Sequence, residues 1–292
     1  MTPDPQNTAE TNPNTTRRSG KYHRARLRSV LFTVGPNRLS GGRVVRRHLR
    51  SDIVINEQQL ESTSWPEAWS GLRIGHVSDF HLGELLPIDR ALLIIERLAE
   101  QQPDIVVCTG DVVDLHHGDE DQLFAAMAAI DAPFGAYLVL GNHDHLDCGD
   151  TVAETAERNG VTVLRDETIR LVHNGAPLNI AGIDWANKPA AFRRAMERAC
   201  DDDTHLLLSH NPKAFRFASR MGIPLTLSGH THGGQVALKS RPGVNLSISH
   251  RYSAGLYERD SSKLFVTTGV GAWFPLRVNC PAEIAMLTMR SV

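Results

Sequence analysis

Asp79-Phe80-His81, Gly110-Asp111, Gly141-Asn142-His143-Asp144, Ser209-His210 and Gly229-His230-Thr231-His232 each stand close behind an apolar run. Together they offer carboxylate, imidazole and amide groups, the oxygen and nitrogen donors that suit divalent cations of intermediate softness. One such cluster is within the reach of chance, but five supply enough donors for a pair of cations. Cations about 3.5–4 Å apart can clamp the attacking and leaving oxygens of an in-line displacement. Coordination also brings the pKa of water far below its bulk value. The chemistry these residues point to is therefore hydrolysis of a phosphate ester. In an extended segment Asp79 and His81 share a face, as do His230 and His232. Gly110, Gly141 and Gly229 each precede a candidate ligand, where a missing Cβ lets the backbone turn sharply.

The elements that would position these groups begin at Leu72. Strands are expected at 72–77, 105–109, 137–140, 178–183, 205–209, 225–228, 263–267 and 284–289. Helices are expected at 88–101, 122–130, 151–159, 189–200 and 212–219, the last two opened by Pro189 and Pro212. Such alternation implies an α/β layered domain. Ligands of open α/β sheets gather outside the carboxyl ends of the strands, where the polar clusters fall.

A chain of 292 residues suits one large domain or two small ones. A net charge near -2 argues against nucleic acid as a partner, since dedicated binders carry a basic excess. Cys108, Cys148, Cys200 and Cys280 have no CxxC spacing, which excludes a cysteine zinc knuckle and gives no disulfide framework. No apolar stretch approaches the roughly 20 residues that span a bilayer, and 29–35 is too short for a signal core despite the preceding Arg17-Arg18. Residues 1–50 read as a basic arm, disordered or lying on a membrane surface, and 51–292 as the catalytic domain. Between Thr11 and Ser51 there is no Asp or Glu, while Lys21, Arg24, Arg26, Arg28, Arg43, Arg46, Arg47 and Arg50 recur. Near an anionic membrane each such cation contributes about 1 kcal/mol. The expected location is the cytoplasm, with peripheral attachment to the inner face of the cell membrane.

The order D-x-H, G-D, G-N-H-D, single H, G-H-x-H resembles the calcineurin-like metallophosphoesterase superfamily from Leu72 to the C-terminus. Gly229–Gln235 and the tail Tyr252, Gly255-Leu256-Tyr257 and Cys280-Pro281-Ala282-Glu283-Ile284 are similar to its compact bacterial branch. That branch includes membrane-associated phosphodiesterases and UDP-diacylglucosamine pyrophosphohydrolases. The resemblance implies a four-layer αββα sandwich, two central mixed sheets flanked by helices. It implies that Asp79, His81 and His232 hold one metal, that Asn142, His210 and His230 hold a second, and that Asp111 bridges both. Manganese is the working choice, with Fe, Zn or Ni as alternatives. A metal-bridging hydroxide would hydrolyse a phosphodiester or pyrophosphate bond of a small or lipid-linked phosphate ester. His143 would stabilise the transition state or protonate the leaving oxygen, and Asp144 would orient its imidazole.

Two alternatives stay open: a phosphomonoesterase, protein phosphatases included, and a non-catalytic interaction module. The module predicts lost ligands, and no expected position is substituted. Among the other polar residues, Asp114 is expected to support the Asp111 turn and His76 to be a bonded core histidine. His116, His117 and His145 divide between solvated loop and substrate contact. His173, His205 and His250 are expected to be structural, and Arg277 to meet either a phosphate or a surface carboxylate.

Overall fold

The runs that precede the polar clusters become strands in two facing sheets. The computed structural model describes residues 20–238, 241–247 and 250–292. In chain order the strands are β1 (Ile53–Ser62), β2 (Arg73–Val77), β3 (Ile105–Cys108), β4 (Ala136–Leu138), β5 (Thr162–Val163), β6 (Glu167–His173), β7 (Ala176–Ile183), β8 (Leu206–Ser209), β9 (Leu225–Ser228), β10 (Ala237–Leu238), β11 (Arg241–Asn245), β12 (Gly255–Arg259), β13 (Ser262–Val266) and β14 (Ala282–Ser291). The helices are α1 (Gly20–Ser29), α2 (Gly35–Leu39), α3 (Arg43–Leu49), α4 (Ile88–Ala99), α5 (Glu120–Ala128), α6 (Asp144–Asp147), α7 (Gly149–Arg158), α8 (Pro189–Ala199) and α9 (Phe215–Ala218). One sheet has the order β1-β14-β2-β3-β4-β5, the other β12-β13-β9-β8-β7-β6, and both mix parallel with antiparallel pairs.

Side-chain alternation explains the layering. Along β3, Ile105 and Val107 enter the core between the sheets, while Val106 and Cys108 face the helices. All four are fully buried because both faces of the sheet are covered. In β8, Leu206 and Leu208 likewise point between the sheets, against Ile74 and Phe265 among others, and Leu207 points outward. Ile95 and Leu98 of α4, Phe124 of α5 and Val152 of α7 cover the first sheet, and Phe192 of α8 and Phe215 of α9 cover the second. The result is the expected αββα sandwich. Each such Leu, Ile or Phe contributes roughly 1.5–3 kcal/mol by leaving water.

Two stretches differ from expectation. The segment of β1, Ile53–Ser62, is mostly polar and lacks a strand pattern, yet it runs parallel to β14 at the sheet edge, burying mainly Ile53 and Leu60. An edge strand with one face toward solvent carries too few apolar residues for a pattern to show. The second is the basic arm. Where a disordered or membrane-surface segment was expected, residues 20–49 form α1 to α3, joined by a wide turn over Val30–Val34. Tyr22, Ala25, Thr33 and Val45 are buried, and Val45 packs on Leu85 and Ala272. A few small contacts separated by exposed arginines leave no periodicity to read. Residues 1–19 of the expected arm lie outside the described residues.

Candidate metal centre

Loops leaving β2, β3, β4, β8 and β9 meet at one end of the two sheets and bring the five polar clusters together. They are tied to each other by backbone hydrogen bonds. Asp79 N and His81 N donate to the carbonyls of Gly110 and Asp111 at 2.8 and 3.0 Å, and Gly271 N donates to the Asp79 carbonyl at 2.9 Å. Asp79, His81, Asp111, His230 and His232 all have φ between 49° and 73°. Asp79 and His81 therefore converge through paired left-handed residues, and so do His230 and His232, in place of the extended segments expected. Left-handed backbone in a residue with a Cβ costs on the order of 1–3 kcal/mol and concentrates at functional sites.

Asp79, His81 and His232 each place one donor atom within 4.8 Å of the others, and so do Asp111, His210 and His230. In the first group His81 Nε2 faces His232 Nε2 at 3.0 Å. Asp79 Oδ1 lies 3.3 Å from His232 Nε2 and 3.9 Å from His81 Nε2. Asp111 stands between the groups, its Oδ2 3.1 Å from His210 Nε2 and 3.6 Å from His81 Nε2. Its Oδ1 accepts from His143 N at 2.7 Å. Asn142 lines the same cleft, and its buried Oδ1 has no hydrogen-bond partner.

The His210 ring tests whether a cation fits. Its Nδ1 lies 2.6 Å from the Thr109 carbonyl and must donate to it, because a carbonyl only accepts. The neutral ring then turns the Nε2 lone pair toward the Asp111 carboxylate, acceptor against acceptor, and Nε2 makes no well-aligned hydrogen bond. Either a proton or a cation must lie between them. In the protein alone the proton is favoured: burial opposes the imidazolium, but Asp111 outweighs it and carries His210 up to about 9. A divalent cation meets the same need with both groups deprotonated. His230 and His232 are held well below the ordinary histidine range, by burial first and then by neighbouring His210 and His81, which keeps them in the neutral form that ligates. The donor set fits a pair of divalent cations.

His143 lies beside the centre, with its Nδ1 3.0 Å from Asp114 Oδ1 and 2.9 Å from the Asp114 carbonyl. Burial disfavours its cation, yet Asp111 and Asp114 raise it to about 9. Asp114, rather than Asp144, orients this imidazole. The Asp144 carboxylate is consumed by backbone: it accepts from the N–H groups of Asp111, Val112, Val113 and Gly141 at 2.8–3.2 Å. Those four bonds pin the Asp111 turn to the Gly141 turn, so Asp144 positions ligands instead of the acid.

Among the described residues Arg277 pairs with no carboxylate; its guanidinium is held by backbone carbonyls. It is half-buried, and it donates to the carbonyls of Thr268, Gly271 and Cys280 at 2.8, 2.6 and 3.2 Å, bracing the loop that backs Asp79. His76 is a core residue bonded to Thr109 Oγ1 at 2.9 Å, and His145 pairs with Asp184 at 2.6 Å. Three residues of the site differ from or go beyond expectation: His250 was expected to be structural, Arg28 to belong only to the basic arm, and Trp185 carries no sequence signal. His250 lines the cleft 5.2 Å from the His230 ring, Trp185 packs 4.9 Å from that ring, and Arg28 reaches the cleft from α1. None lies in a motif, and only the fold delivers them.

The family model described as calcineurin-like phosphoesterase matches residues 72–234. The metallophosphoesterase YkuE of Bacillus subtilis is 30% identical over 264 residues, covering 86% of this chain and 91% of its own. A metallophosphoesterase of Helicobacter pylori is 28% identical over 227 residues, covering 75% of this chain and 60% of its own length. Phosphodiesterase YaeI of Escherichia coli is 28% identical over 231 residues, covering 74% and 82%. Among the described residues no helix is long and apolar enough to cross a membrane.

Proposed function

The chain belongs to the calcineurin-like phosphoesterase family and is a phosphoric ester hydrolase, and from that premise we propose a binuclear metal-dependent hydrolase of phosphodiester or pyrophosphate bonds. The observation that carries this reading is the pair of donor groups, Asp79–His81–His232 and Asp111–His210–His230, with Asp111 reaching both. Asp79, His81 and His232 would hold one ion; Asn142, His210 and His230 the other; Asp111 would serve both. When bound, such ions supply Lewis-acid neutralisation of phosphoryl oxygens and a water acidic enough to attack at neutral pH. Mixed oxygen and nitrogen donors suit Mn, and also Fe, Zn or Ni.

The chain's own residues supply the rest. With Asp114 at its Nδ1, His143 is favoured as the cation and is placed to deliver a proton to the leaving oxygen. Asp144 holds the two turns that carry Asp111 and Asn142 at fixed separation. Leu27, Leu31 and Phe32 are exposed, and Phe32 meets Trp273 at the cleft mouth, which supports an apolar, lipid-linked substituent on the substrate. Exposed Arg43, Arg46, Arg47 and Arg50 support peripheral attachment to an anionic membrane surface on the cytoplasmic side.

The test is a parallel assay of Mn-loaded protein on bis-p-nitrophenyl phosphate, p-nitrophenyl phosphate and UDP-diacylglucosamine. Turnover of a diester or pyrophosphate substrate, abolished by chelator and restored by Mn, is expected. Turnover of the monoester alone would make the protein a phosphomonoesterase.

A further inference from the structure

Three cations of α1 line a cleft beside the candidate metal centre. Lys21, Arg24 and Arg28 are spaced i, i+3, i+7, so at 100° per residue they fall on one stripe of the helix. The stripe forms a wall of a cleft of about 540 Å³ whose other lining includes Asn142, His143 and Trp185. Arg28 also lines the adjoining cleft over His81 and Asp111. Its guanidinium lies 5.5 Å from the centroid of the Trp273 ring, which holds it at the rim. The helix is held by its neighbouring face: Tyr22 is 1% exposed, and its hydroxyl lies 3.1 Å from His116 Nε2. Among the described residues no carboxylate pairs with Lys21, Arg24 or Arg28. Like charges at these spacings repel one another, so an anion between them would be favourable.

Resting on the hydrolase reading above, we propose that Lys21, Arg24 and Arg28 form a second anion subsite beside the metal centre, and that the substrate carries a second phosphate in addition to the one hydrolysed. Guanidinium groups hold phosphate through paired, charge-assisted hydrogen bonds. The stripe thereby sets specificity: a pyrophosphate-linked or bisphosphate ester fills both positions, whereas a simple diester fills only the metal-side one.

Calorimetry on the full chain tests this without requiring turnover. The probes are α,ω-alkanediol bisphosphates of two to six carbons and alkyl monophosphates of the same lengths, titrated with and without Mn. At one or more lengths the bisphosphate is expected to bind at least roughly tenfold tighter than its monophosphate, the gain of one charge-assisted contact pair. Arg24→Gln combined with Arg28→Gln should bring that ratio close to one, and Arg28→Lys should keep part of it. Arg26→Gln, on another face of the same helix, should keep all of it, which separates the subsite from general charge. A ratio of one at every length in the unaltered protein, an undiminished ratio in the double variant, or an equal loss in Arg26→Gln would each overturn the proposal. Failure of the metal reading looks different: monophosphate binding would then be indifferent to Mn, while the bisphosphate ratio would still report on the stripe.

Discussion

Asp111 meets more of the site's demands than any other side chain, because one oxygen fixes the His143 backbone while the other faces both His210 and His81. An amide in its place keeps the shape but loses the charge and one acceptor. Asp111→Asn should therefore lower bound metal and turnover together, turnover by at least about a hundredfold, as metal analysis and steady-state kinetics would report. Asp114 acts on the chemistry from one residue further away. In the proposed mechanism the imidazolium of His143 would be the acid, and without metal the carboxylates around it hold its pKa up to about 9. Its proton is thus present below that value and lost as pH rises through it. Replacing the charge in Asp114→Asn lowers that pKa, so the alkaline limb of the pH–rate profile, measured at saturating metal, should move to lower pH. An unmoved limb would assign that limb to another group.

At the scale of elements, the site depends on loops approaching closer than most side chains allow. A Cβ on Gly229 would stand 2.1 Å from Ser78 Oγ and 2.2 Å from Asp79 Oδ2, and one on Gly141 would stand 2.2 Å from Asp111 Oδ1. Gly229→Ala should destabilise the fold by about 1–3 kcal/mol and weaken metal retention by displacing Asp79, measurable by urea unfolding and metal analysis. The same close approach shows why the candidate ligands were legible in the sequence. Each glycine–ligand pair is local, and the strands before it are apolar runs such as Ile105–Cys108. What was not legible depends on contacts distant in sequence. Asp144 was assigned to the adjacent histidine, whereas its carboxylate bonds the turn at Asp111–Val113, more than thirty positions earlier. Arg28 and Trp185 reach the cleft only through packing, and β1 becomes a strand only because β14 offers it a ladder.

For the molecule as a whole, the two sheets must stay in fixed relation, since Asp79, His81 and Asp111 come from one sheet and His210, His230 and His232 from the other. The core between them, including Leu208, Leu227, Ile74 and Phe265, therefore transmits packing changes to the metal centre. Leu208→Ala, two residues before His210, should cost about 2–5 kcal/mol of stability through the cavity it leaves. Metal added in excess should restore part of that loss, because ligand binding favours the folded state. Thermal scans with and without Mn would measure both effects. The account as a whole stands or falls on where the ions bind. Anomalous diffraction from a Mn-soaked crystal should show two peaks flanking Asp111, one against Asp79, His81 and His232 and one against Asn142, His210 and His230. A single peak, or peaks away from Asp111, would contradict a binuclear centre.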